Sequence, residues 1–115
     1  MAVSKPPITA ELTWEGGLRF RSKTPRTEIV LDSEGTAGPT PPEAVAMALA
    51  GCMAIDVADI VTKGRHPLTL LRATIVGERI PDPQGYFVHF TLHFVVVGNV
   101  PAHDIQRAID LSHER

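Results

Sequence analysis

The chain has 115 residues, of which 43% are hydrophobic and 21% charged, and its formal net charge is −2. That is the profile of one small globular domain rather than of a disordered chain. It offers no basic patch for nucleic acid, and one Trp, one Tyr and four Phe give no stacking platform.

The first residues, Met1-Ala2-Val3-Ser4-Lys5-Pro6-Pro7, hold no apolar signal core, so the cytoplasm is the expected compartment. Residues 8–32 read as a small meander. Ile8 to Trp14 alternates loosely, Gly16-Gly17 is a hairpin signal, and Leu18-Arg19-Phe20-Arg21 alternates apolar and basic as a strand with one dry face does. Thr24-Pro25-Arg26 turns the chain into a third strand, Thr27 to Leu31, and Asp32 to Pro39 is a Gly-, Ser- and Thr-rich loop.

A long helix is predicted from about Pro41 to Lys63. Thr40 and Glu43 have capping-box spacing, Pro41 suits the first helical position, and Gly64 is the natural C-cap, with His66-Pro67 barring continuation. Its first half, Ala44 to Ile55, is apolar apart from the only cysteine, Cys52. That run of about 12 residues is too short to cross a bilayer, so no membrane partner is expected. A helix apolar all round needs cover on every side, which points to a second subunit. Two long strands follow, at about 69–80 and 86–97, joined by the turn Pro81-Asp82-Pro83-Gln84-Gly85, and Pro101 to Arg115 has helical spacing. The order β-β-β-α-β-β-α defines a single α+β domain over residues 1–115 with an antiparallel sheet.

Taken together, Gly38-Pro39-Thr40-Pro41-Pro42-Glu43, Ala48-Leu49-Ala50-Gly51-Cys52 and Ile55-Asp56-Val57 resemble the central helix of the OsmC/Ohr family, the osmotically inducible and organic hydroperoxide resistance proteins. Val76 to Arg79 with Phe87 and Phe94 to Gly98 is similar to the family's long hairpin, and Arg107 to Ser112 to the opening of its last helix. The resemblance implies an intertwined homodimer and peroxidase chemistry at a helix cysteine, here Cys52. An arginine from the N-terminal strands and a glutamate near the helix start would assist. A second cysteine would resolve the oxidised form, and the chain ends at Arg115, about two residues before that cysteine's place. Reduction of the oxidised cysteine is therefore expected from an external thiol reductant or from a C-terminal segment beyond Arg115. The Ohr-type arginine position is taken by Leu18, with Arg19 one residue later, and a one-residue shift along a strand changes faces. The Ohr-type glutamate aligns with Pro42 and its neighbour with Glu43, which places the chain nearer the broad OsmC-like branch.

Cys52 is then either a reactive thiol in a shielded pocket or an inert buried one. Attack on a peroxide needs the thiolate, and a free cysteine is only a few per cent ionised at pH 7. Apolar surroundings and Asp56, one turn further along, both oppose ionisation, so a cation within about 4–6 Å is required. Arg19, Arg21 and Arg79 are candidates, and Arg19 lies nearest the family position. Glu43 stands nine residues from Cys52, half a turn out of phase on an ideal helix. Asp56 could orient the arginine. Met47, Met53 and Phe20 would line an apolar pocket suited to organic hydroperoxides. His89 and His93 lie about 13 Å apart along a strand, too far to share a metal ion, and neither metal nor cofactor is expected. The competing expectation is a non-catalytic dimeric domain that binds a small apolar ligand beside an unreactive Cys52.

Overall fold

A computed structural model describes residues 5–81 and 87–114 of the chain, the side chains of 112–114 excepted. The elements are β1 (Glu11–Trp14), β2 (Arg19–Lys23), β3 (Glu28–Asp32), α1 (Pro41–Lys63), β4 (Leu68–Arg79), β5 (Phe87–Gly98) and α2 (Ala102–Glu114). This is the α+β order expected, with two antiparallel sheets rather than one: β1-β2-β3 and β4-β5. The Asp82–Gly85 part of the turn between β4 and β5 lies outside the described residues. The chain divides into two compact units, Met1–Ala44 and Val45–Arg115.

In the first unit Gly16 and Gly17 take φ of 104° and 58°, the left-handed region that only glycine enters without penalty. They reverse the chain so that Trp14 pairs with Phe20, and Phe20 in turn with Leu31. Leu12, Trp14, Phe20 and Ile29 share one face, and all are exposed. The expected dry face of β2 is thus uncovered within its own unit. The opposite face, with Arg19 and Arg21, is the half-buried one because ion pairs cross it.

In the second unit β4 and β5 form a hairpin of 12-residue strands whose Phe90, Leu92 and Phe94 turn inward while His89, Thr91 and His93 face out, as their alternation predicts. The core gathers Val57 and Val61 of α1 with Ala108 of α2, flanked by Ile60, Leu68, Leu71, Phe94, Val100 and Ile109. By length and composition α1 would also span a bilayer, which its short apolar run did not suggest. Its last two turns carry Asp59 and Lys63, joined at 3.0 Å, and bury Val57 and Val61, the features of a helix packed in a folded unit.

The end of α1 differs from expectation in one residue. Arg65, not Gly64, holds the left-handed conformation, at φ 62°. The His66 amide donates to the Val61 carbonyl at 3.3 Å and the Arg65 amide to that of Thr62 at 3.0 Å, the paired bonds of a Schellman stop. A side chain at that φ is strained, and glycine removes the strain at some cost in chain entropy. Arg65→Gly is expected to raise stability by about 0.5 kcal/mol in urea unfolding.

Candidate functional site

Cys52 is carried by α1 and is exposed in the chain. Val45, Ala48, Leu49, Cys52 and Ile55 recur at helical spacing along one outward stripe, with Val45 55% and Ile55 70% accessible. The sequence suggested a shielded thiol, whereas within a single chain the thiol is open. The reason lies in the phase of the helix: its buried positions are Ala50, Val57 and Val61, and the stripe with Cys52 falls outside that set. Met47 is exposed as well, while Met53 and Asp56 are half-buried.

Arg19 and Asp32 stand directly opposite each other across β2 and β3, with Arg19 Nη2 3.4 Å from Asp32 Oδ2. Asp32 is only 2% accessible. The Glu34 amide donates to its Oδ1 at 3.0 Å. The Thr36 hydroxyl and the Ala37 amide donate to Oδ2 at 2.9 and 3.0 Å. Its own amide reaches the Pro39 carbonyl at 3.0 Å. One carboxylate thus shapes the loop that leads into α1. Sequence reasoning missed Asp32, although an Asp followed by Ser-Glu-Gly-Thr is the signature of a side chain that bonds its own downstream backbone. Arg19, Asp32, Glu15, Gly16, Gly17, Leu18 and Glu34 line a cavity of about 190 Å³.

The amides of Ala37 and Glu34, then the Thr36 hydroxyl, hold the Asp32 carboxyl well below the usual carboxylate range. A carboxyl depressed by folding contributes stability that is complete above its unfolded pKa and is lost as pH falls. The thermal midpoint is therefore expected to decline as pH drops below about 4, and Asp32→Asn should flatten that decline in a pH-melting series.

Arg21 bonds Glu15 through Nε at 2.8 Å and pairs with Glu28 at 3.6 Å, so its guanidinium is engaged at the sheet surface. Glu43 is committed to the helix start. Its Oε1 accepts from the Thr40 amide at 2.9 Å and its amide donates to the Thr40 hydroxyl at 3.3 Å. The Thr40 amide, then its hydroxyl, pulls the Glu43 carboxyl below its ordinary pKa. Arg79 lies 5.9 Å from the Phe87 ring centroid. Of the predicted site residues, Arg19 and Glu43 belong to the first unit, and Cys52 and Asp56 to the second, one turn apart on α1.

Among the histidines, His66 joins the start of α2 through Asp104 at 3.1 Å, and His89 contacts Thr91 at 3.2 Å. Among the described residues no three His, Cys, Asp or Glu side chains are placed to hold a metal ion.

Residues 32–115 match the family model described as OsmC-like protein. Protein YhfA of Escherichia coli K12 is 36% identical over 111 residues, covering 94% of this chain and 83% of that protein. The crystal structure of an OsmC-like protein from Mycoplasma pneumoniae superposes with a TM-score of 0.77 at 20% identity, over 97% of this chain and 82% of that one. The organic hydroperoxide resistance protein OhrB of Bacillus subtilis shares the fold more distantly, with a TM-score of 0.53 at 16% identity over 92% and 84% of the two chains. Helix motif, hairpin and whole-chain similarity agree: the chain belongs to the OsmC-like family.

Proposed function

We propose that the protein is a cytoplasmic thiol peroxidase that reduces organic hydroperoxides, with Cys52 as its nucleophile. The observation that carries this reading is an accessible thiol set among apolar side chains on the helix that bears the family motif. The Cys52 thiolate attacks the outer oxygen of R–O–O–H and the O–O bond breaks. The alkoxide leaves with both bonding electrons and takes a proton to become the alcohol, while the sulfur becomes a sulfenic acid. An external thiol then condenses with the sulfenic acid, releasing water, and a second thiol reduces the mixed disulfide to free Cys52.

OsmC/Ohr proteins are typically dimeric, and a homodimer would cover the stripe around Cys52 with apolar surface. Met47, Met53 and Phe20 would then favour alkyl hydroperoxides over hydrogen peroxide. Arg19 is assigned the role of cation to the thiolate and to the departing oxygen. Asp56 is the better supporting carboxylate, since Glu43 is occupied by the helix cap.

Mass spectrometry after one equivalent of cumene hydroperoxide tests the reading. Cys52 is expected to carry one added oxygen, trapped by a sulfenic-acid reagent, within seconds, and far more slowly with hydrogen peroxide. An unmodified Cys52 under both oxidants favours the other family-compatible role, a binding domain with an inert thiol.

A further inference from the structure

We propose that the cleft between the end of α1 and the facing side of α2 is a binding site for a small organic acid. Its carboxylate would sit on Arg107 and its apolar tail against Ile60 and Leu111. The site is separate from Cys52 and lies wholly within the second unit.

The cleft has a volume of about 300 Å³. Ile60, Val61, Lys63 and Gly64 border it from α1, and Asp104, Arg107 and Leu111 from α2. The three α2 positions recur at helical spacing, so they form one stripe along that helix. Ala108 packs against Val57 and Val61, while Gly64 brings no side chain to the gap beside them. His66 joins the two walls. Its Nε2 stands 3.1 Å from Asp104 Oδ2, and its amide is fixed to the Val61 carbonyl at the helix stop. Cys52 precedes Ile60 by about 12 Å along the helix and does not border the cleft.

The ligand class follows from the charge left over. Both carboxylates within one turn of Arg107 on α2 are already engaged. Asp104 meets His66 at Oδ2 and His103 at Oδ1, at 3.1 and 3.2 Å, and Asp110 accepts from Gln106 at 2.9 Å. The Arg107 guanidinium has no acceptor among the described residues. Lys63 pairs with Asp59 at 3.0 Å, but the pair is exposed and such pairs are weak, which leaves Nζ able to turn to a better acceptor. A planar guanidinium without a counter-ion, beside an apolar wall, matches a carboxylate whose carbon chain leaves from one side. The nearby Asp104 carboxylate disfavours a second negative charge on the ligand. At roughly 30 Å³ for each group the size of water, the cleft holds about ten non-hydrogen atoms, the size of octanoate.

Calorimetric titration of the full chain with octanoate, well below its micellar range, tests the site. One octanoate per chain is expected, with a Kd on the order of 0.1–1 mM. Octanol keeps the tail and acetate keeps the head, and each is expected to bind about tenfold more weakly or worse. Arg107→Gln should weaken octanoate about tenfold and leave octanol as it was. Leu111→Ser should weaken octanoate and octanol together. In an NMR titration the amide shifts should centre on Lys63, Gly64 and Arg107.

Equal binding of octanoate and octanol overturns the proposal, since it leaves the guanidinium no role, and that comparison needs no variant to fold. An unchanged affinity in Arg107→Gln overturns it too, as does acetate binding as tightly as octanoate, or no binding at all. Shifts centred on Cys52 would do the same, because the ligand would then occupy the place assigned to the hydroperoxide. Cys52→Ser is expected to bind octanoate as the unsubstituted protein does, so the site stands or falls apart from the peroxidase reading.

Discussion

Cys52→Ser is expected to consume cumene hydroperoxide no faster than buffer with the same thiol reductant, a fall on the order of a thousandfold or more from the unsubstituted protein. Serine replaces the sulfur with an oxygen that is scarcely ionised at neutral pH and cannot expand to a sulfenic acid. Cys52 is exposed within its own chain and the substitution exchanges a single heavy atom, so a melt recorded beside the turnover separates chemistry from folding and assembly. Lost turnover with an unchanged melt then belongs to the chemistry. A stopped-flow or ferrous-oxidation assay of peroxide remaining gives the measurement, and equal rates in the two proteins would remove Cys52 from the reaction.

The second large effect is on folding. Gly38→Ala is expected to cost about 3 kcal/mol or more in urea unfolding, because a Cβ at Gly38 would collide with the backbone carbonyl of Val30. Neither partner can yield cheaply. Val30 is held in the β2–β3 ladder opposite Arg21, and the next residue of the loop, Pro39, accepts the Asp32 amide at 3.0 Å. Relief requires the loop to lift from β3, which would also loosen the contacts around Asp32. Against a total stability of about 5–15 kcal/mol, that loss would move a small domain close to its unfolding threshold. A midpoint shift of less than a few tenths molar urea would show that the loop adapts without strain.

The central helix was legible because its signals are local. Thr40 and Glu43 make the reciprocal bonds that their spacing implies, and the hairpin strands show inward and outward faces where Phe90 to Phe94 and His89 to His93 alternate. The helix stop was half legible. Gly64 marked the place, but the left-handed residue is Arg65, since the hydrogen-bond ladder fixes which residue must turn. Asp32 was illegible as a hub, for its importance comes from where the loop brings Thr36, Ala37 and Arg19. The exposure of Cys52 was also beyond the local pattern. An apolar run tells that cover is wanted, and only tertiary structure tells which side receives it from the same chain.

If the proposed dimer covers the exposed stripe around Cys52, reactivity follows abundance. Shelter that another molecule provides follows mass action, so in the proposed dimer dilution would strip it away. Turnover per molecule in the proposed dimer would then climb with total protein before levelling, and a cell could tune peroxide clearance through expression alone.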